Sequence, residues 1–182
     1  MLQCLGLTIP GGVTLHLTPA GLTTQTIPYN SKYFQIDFDL NNHQLEITTS
    51  LPESKQFSLE NISVAGFYQS IQKKLKEIDI EVPIFTVPSE IVDPIPFEQD
   101  ESHNTYDKEH ASALHIALLR INEVFLTYRS DFKGKTSPIH FFFGEDSICH
   151  CLSFPEKKRQ LIQVRCQECP TGCFRMLFRR SF

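Results

Sequence analysis

From Tyr33 to Leu40 the chain alternates without a break. Phe34, Ile36, Phe38 and Leu40 fall on one side, and Gln35, Asp37 and Asp39 on the other. Successive side chains of a β-strand point to opposite faces, so this segment predicts a strand with one buried face. Asn41-Asn42 follows and reads as a two-residue turn, because asparagine tolerates positive φ. Leu45, Ile47 and Thr49 then continue the pattern on a returning strand, giving a hairpin over residues 33–49. A sheet with one apolar face must be covered on that face, and the rest of the chain has to supply the cover.

The cover is legible as two helices. Ser63 is placed to cap the first, in which Val64, Phe67, Tyr68, Ile71, Leu75 and Ile78 recur at helical spacing while Gln72, Lys73, Lys74 and Lys76 face water. Asp107 is placed to cap the second, which should end near Asp131 and bury Ala111, Leu114, Leu118, Ile121, Phe125 and Tyr128. Further strands are predicted at residues 13–18, at residues 56–59, at Val82 to Val87 as an edge (because of Pro83), and in the aromatic run Ser137 to Gly144. The change of period from 2 to 3.6 gives the class: α+β, an antiparallel or mixed sheet with two main helices packed on one face.

Composition narrows the function. The 182 residues fit one domain with enough chain for a core. A net charge of −4 offers no basic footprint, so no nucleic-acid partner is expected. No apolar run approaches the ~20 residues of a membrane span, and Met1 to Gly12 lacks the pattern of a secretory leader. The reading is a soluble, cytoplasmic protein with no membrane partner. Cysteines stand at positions 4, 149, 151, 166, 169 and 173, with none from residue 5 to residue 148, which is not how a disulfide framework is distributed. No phosphate-binding loop, nucleophile elbow or dinucleotide fingerprint is present, so no cofactor follows from the residues, and neither does an oligomeric state.

The chemistry-bearing residues gather in a polar hinge from Asp93 to Asp107, rich in proline and charge yet carrying Ile95, Phe97 and Tyr106. A long ordered loop between folded elements is a usual place for a site. Asp93 and Asp100 bracket Pro94 to Phe97 and suit turn capping, with general-base work as the sharper alternative. Asp107 and His110 sit three apart on one helix face, and with His103 folding back they make a candidate divalent-metal set; capping and backbone bonding is the plainer reading. His140, opposite Ile139 and Phe141 in its strand, is either a satisfied core histidine or a pocket group. In the tail, Cys166, Cys169 and Cys173 with Cys149, His150 and Cys151 upstream have zinc-like spacing, and the seven basic residues after Glu156 suggest an RNA or membrane arm; random out-of-frame sequence explains both more economically.

Several ordered motifs carry a resemblance: Gly21-Leu22-Thr23-Thr24 with Ile27-Pro28-Tyr29, Phe34 to Asp39, Asp93 to Phe97 with Asp100, His103, Tyr106 and Asp107, and Ser137 to Phe142. Over residues 13–144 the chain resembles a bacterial family filed as domain of unknown function 5996. The resemblance implies a shared fold and no activity. Members of that family continue with a pattern like Gly-Ser-Phe-Asp-Leu and then Phe-Ser-Gly, and carry a Trp-Trp pair before the strand matching Val13; this chain has no tryptophan. A shifted reading frame permits both patterns, at Gly144 to Lys157 and at Ile9 to Gly12. The expectation is one domain over 13–144, with residues 1–12 and 145–182 as frame-shifted or poorly ordered ends.

Three functions follow. One is a domain that binds a small molecule, or an enzyme of unassigned class, with a pocket between the 93–107 loop and the strand of His140, using Asp93, Asp100, His103 and His140. The second is a metal-dependent hydrolase using His103, Asp107, His110 or His140. The third is a non-catalytic interaction module whose loop and edge strand dock a partner.

Overall fold

The computed structural model describes residues 14–88 and 93–130, together with the backbone of the segments 135–136, 140–142, 147–153 and 159–165. Within these residues ten strands and two helices follow the order β1 (Thr14–Leu17), β2 (Gly21–Thr23), β3 (Ile27–Tyr29), β4 (Lys32–Asp39), β5 (Gln44–Thr49), β6 (Ser54–Ser58), α1 (Val64–Lys76), α2 (Lys108–Ser130), β7 (Lys135–Thr136), β8 (His140–Phe142), β9 (Ser147–Ser153) and β10 (Arg159–Arg165). The sheet runs β10-β9-β8-β1-β2-β4-β5-β6, with β3 on β4 and β7 on β9, and every described pairing is antiparallel. The α+β class holds, and the choice between antiparallel and mixed resolves to antiparallel.

The register explains the core. Ile36 pairs Ile47 and Phe38 pairs Leu45, so the apolar positions of the hairpin line up on one face. Ile36, Leu45 and Ile47 are fully buried there, under Phe67, Ile71 and Leu75 of α1. Leu118, Ile121 and Phe125 of α2 form a second cluster that reaches Leu17 and Leu22. Leu22 belongs to both clusters, so the two helices share one face of the sheet.

Three local expectations need correction. The turn between β4 and β5 spans four residues, since Asp39 pairs Gln44. Asp39 organises it: its Oδ1 accepts the backbone N–H of Asn41 and Asn42, and the positive φ falls on His43 at 54°. Residues 82–87 are not a ladder strand. Ile80, Val82 and Ile84 turn inward onto the core, which produces the alternation. The backbone bonds instead to the Tyr29 hydroxyl at Glu81 and to the Phe97 N–H at Thr86. The buried stripe of α2 is rotated from the one expected: Leu114 is 39 % exposed, while His115 is 3 % exposed and donates from Nε2 to the Thr18 carbonyl at 3.1 Å. Positions 111, 115, 118 and 125 follow the 3.6 period, but a histidine among them does not register as apolar. The side chain of Tyr128 lies outside the described residues.

Candidate functional site

The hinge is held against the start of α1. The first N–H groups of a helix have no partner within the helix and must find one elsewhere. Here the loop supplies it: Val64 donates to the His103 carbonyl at 3.0 Å and Ala65 to the Asp100 carbonyl at 2.9 Å. Ser63 caps the helix by accepting from Gly66 N–H at 3.1 Å, and its own hydroxyl donates to Glu101 Oε2 at 2.6 Å. A short 3₁₀ turn, Phe97–Gln99, precedes Asp100. After it the loop passes His103 to Tyr106 over the sheet and enters α2, whose first turn Asp107 caps through Glu109 and His110 N–H.

Pinning the loop this way leaves a cavity of about 380 Å³ beneath residues 103–106. Its wall is apolar, built by Phe38 and Leu40 from the sheet, Leu59 and Ile62 from the approach to α1, and Val64 and Phe67 from the helix. Ser63, His103, Asn104, Thr105 and Tyr106 complete the lining. An apolar recess with a few convergent polar groups is the usual form of a small-molecule site.

Two polar pairs flank it. Asp100 is buried, and both its carboxylate oxygens lie within hydrogen-bond reach of His103 Nδ1, at 2.8 and 2.7 Å. Burial pushes the Asp100 carboxyl up. Hydrogen bonds from Ser102 and from the backbone and ring of His103 outweigh it and hold the carboxyl below the usual aspartate value. An ionised carboxylate only accepts, so Nδ1 of His103 carries the proton, and a neutral ring then leaves Nε2 as the acceptor. That ring is 69 % exposed. The second pair joins Tyr106 Oη to His43 Nδ1 at 3.0 Å, with the rings edge to face. Burial, then Glu60 and Asp39, push the Tyr106 phenol above its ordinary value, so it stays protonated. His43 and Tyr106 stand 63 positions apart, so no local spacing points to this bond.

The sequence candidates separate in space. Asp100 and His103 form one pair. Asp107 and His110 form another on the exposed start of α2, at 3.1 Å. The proposed metal ligands His103, Asp107 and His110 are thus divided between two partners, and among the described residues no three histidine, cysteine or acidic side chains gather to hold a metal ion. Asp93 is exposed, with a left-handed backbone at φ 55°, and is not part of either pair. His140 lies in β8 opposite His16 of β1, and its side chain is outside the described residues. The strand order puts β1 and β2 between β8 and β4. At roughly 4.8 Å per strand the backbones of His140 and Asp37 are about 14 Å apart. Cys149, His150 and Cys151 are in β9, while Cys166, Cys169 and Cys173 lie outside the described residues, as do residues 1–12.

The match to known sequence families is extensive, covering residues 10–161. The chain belongs to the family of unknown function DUF5996. The DUF5996 match spans both helices, the whole hinge and every strand from β1 to β9. No match was found among curated proteins or among solved structures. Among the described residues no helix of this DUF5996 protein is long and apolar enough to cross a membrane.

Proposed function

We propose that this protein binds a small molecule in the cavity beneath residues 103–106, with the Asp100–His103 pair as the proton-handling group at its mouth. The observation that carries the reading is the coincidence of the two: the apolar recess of about 380 Å³ is lined by the same imidazole that a buried carboxylate orients. A recess of this size lies at the small end of the range for ligand sites, which suits a compact molecule. An imidazole held at Nδ1 offers Nε2 to a bound ligand as a hydrogen-bond acceptor or general base, so the reading extends to proton transfer on that ligand. Asp100 orients the ring and keeps the tautomer, as a carboxylate behind a histidine does elsewhere.

The test is a fragment screen by amide NMR on the full chain, with cationic, neutral and anionic fragments. Fragments are expected to move the amide signals of Leu59, Val64, Phe67, Asn104 and Tyr106 together. Asp100→Asn should redistribute the His103 ring between its tautomers, read from the imidazole nitrogen shifts. The reading is wrong if fragments bind elsewhere and leave those five amides unmoved.

A further inference from the structure

The lining and the rim of the cavity differ in a way that selects among ligands. None of the lining residues is a lysine or arginine. The N-terminus of α1, where an anion would ordinarily be received, is already occupied. Val64 and Ala65 donate to loop carbonyls, and Gly66 and Phe67 donate to the side chain and the carbonyl of Ser63. Around the rim stand carboxylates. Glu101 is bonded to Ser63 and Asp100 to His103, both of them lining residues. Asp39 and Glu60 are close enough to Tyr106 to disfavour its phenolate. Desolvation pushes Asp39 up, but bonds from Asn42 and Asn41 prevail and keep it ionised. Lys108 is paired into this group, 3.9 Å from Glu60 and exposed, and His43 stands beside Asp39 and Tyr106.

We propose that the cavity takes a compact apolar amine in its ammonium form, its hydrocarbon body against Phe38, Leu59 and Phe67 and its cation at the mouth beside Ser63, His103 and Tyr106. This deepens the small-molecule reading above and rests on it. The wall favours a hydrocarbon, since it offers no hydrogen bond. The rim favours a cation, because an anion there meets like charges from Glu101, Asp100, Asp39 and Glu60. The aromatic rings of the lining add to that preference, since a ring face attracts an ammonium group. In the neutral ring, Nε2 of His103 accepts from an N–H⁺ donor and has no hydrogen to offer a carboxylate.

Three probes of one shape separate these effects: 2-phenylethylamine, 2-phenylethanol and phenylacetate, titrated into the full chain at about pH 7 and low salt, with binding read at the cavity amides. The ammonium probe should bind about tenfold tighter than the alcohol, and phenylacetate should not saturate. Salt near the molar range should erase most of the amine's advantage and leave the alcohol unchanged. Glu101→Gln and Glu60→Gln should each weaken the amine a few-fold, again with the alcohol unchanged, which shows that the cavity persists in the variants. Equal binding of amine and alcohol, or saturable binding of phenylacetate, overturns the amine inference while the small-molecule reading stands. If none of the three moves the cavity amides, the amine inference is likewise refuted, and the fragment screen decides the broader reading.

Discussion

Gly21 and Gly66 offer the sharpest test of the fold, because one substitution should be costly at the first site and nearly neutral at the second. Gly21 opens β2 where that strand pairs with the end of β4. A Cβ placed on it would lie 1.9 Å from the Phe38 carbonyl oxygen and 3.0 Å from Leu40 N, both backbone atoms. Backbone cannot rotate away, so Gly21→Ala must push β2 from β4 by about 1 Å, enough to take ladder bonds of ~2.9 Å beyond their working range. The pairings at risk are Gly21 with Asp39 and Leu22 with Phe38, and Leu22 is the residue the two core clusters share. Two half-buried backbone groups left unpaired cost about 1–3 kcal/mol each, so a loss of about 3 kcal/mol or more is expected. In a domain of this size that lowers the melting temperature by roughly 6–12 °C. At Gly66 the nearest atoms are Ile62 Cγ1 at 3.0 Å and Ser63 Oγ at 3.4 Å, both in side chains. Ile62 can yield, and alanine gains up to ~1 kcal/mol of helix propensity over glycine, so Gly66→Ala should stay within about 1 kcal/mol of wild type. Urea denaturation followed by far-UV circular dichroism measures both. A Gly21→Ala midpoint equal to wild type, or a Gly66→Ala loss as large as that of Gly21→Ala, refutes the argument from backbone contact.

Four further outcomes are expected. Leu118→Ala should cost about 2–5 kcal/mol and Leu114→Ala less than about 1, because Leu118 is 5 % exposed and Leu114 is 39 % exposed; chemical denaturation distinguishes this tilt of α2 from the stripe read from sequence. Ser63→Ala removes the α1 cap and should cost about 1 kcal/mol, with faster hydrogen exchange at Gly66 as its local signature. The Asp100 carboxyl should titrate below a free aspartate when followed by carbon NMR. Its unfolded form binds the proton first as pH falls, so its contribution to stability is present above the ordinary aspartate range and is lost on acidification through its own lower value; Asp100→Asn should flatten that part of the acid limb. Tyr106 should ionise above an ordinary tyrosine in an ultraviolet titration, and Tyr106→Phe should remove that late component. Since its folded value is the raised one, the stability it contributes is intact below the ordinary tyrosine range and declines as pH rises through the folded value.

What the residues determined alone is what depends on neighbours in the chain. The face assignment of β4 and β5 follows from strict alternation, and the caps Ser63 and Asp107 follow from a short acceptor standing before a helical period. The pairing of Asp100 with His103 was within reach for the same reason, three residues apart in one loop. What only the tertiary structure decided is which distant groups complete these parts. Residues 82–87 alternate like a strand, yet packing on the core makes that pattern as readily as a ladder does, and the difference lies in partners far away in sequence. His115 sits on the buried side of α2 because the Thr18 carbonyl, 97 positions earlier, waits there for a donor. The hydroxyl of Tyr106 meets His43 only because the turn between β4 and β5 folds under the hinge. The cavity itself is a space left between a sheet, a helix start and a loop, and no segment of the chain encodes it alone. Local propensity acts over a few residues, while burial and the satisfaction of backbone donors are settled by whatever the fold brings alongside.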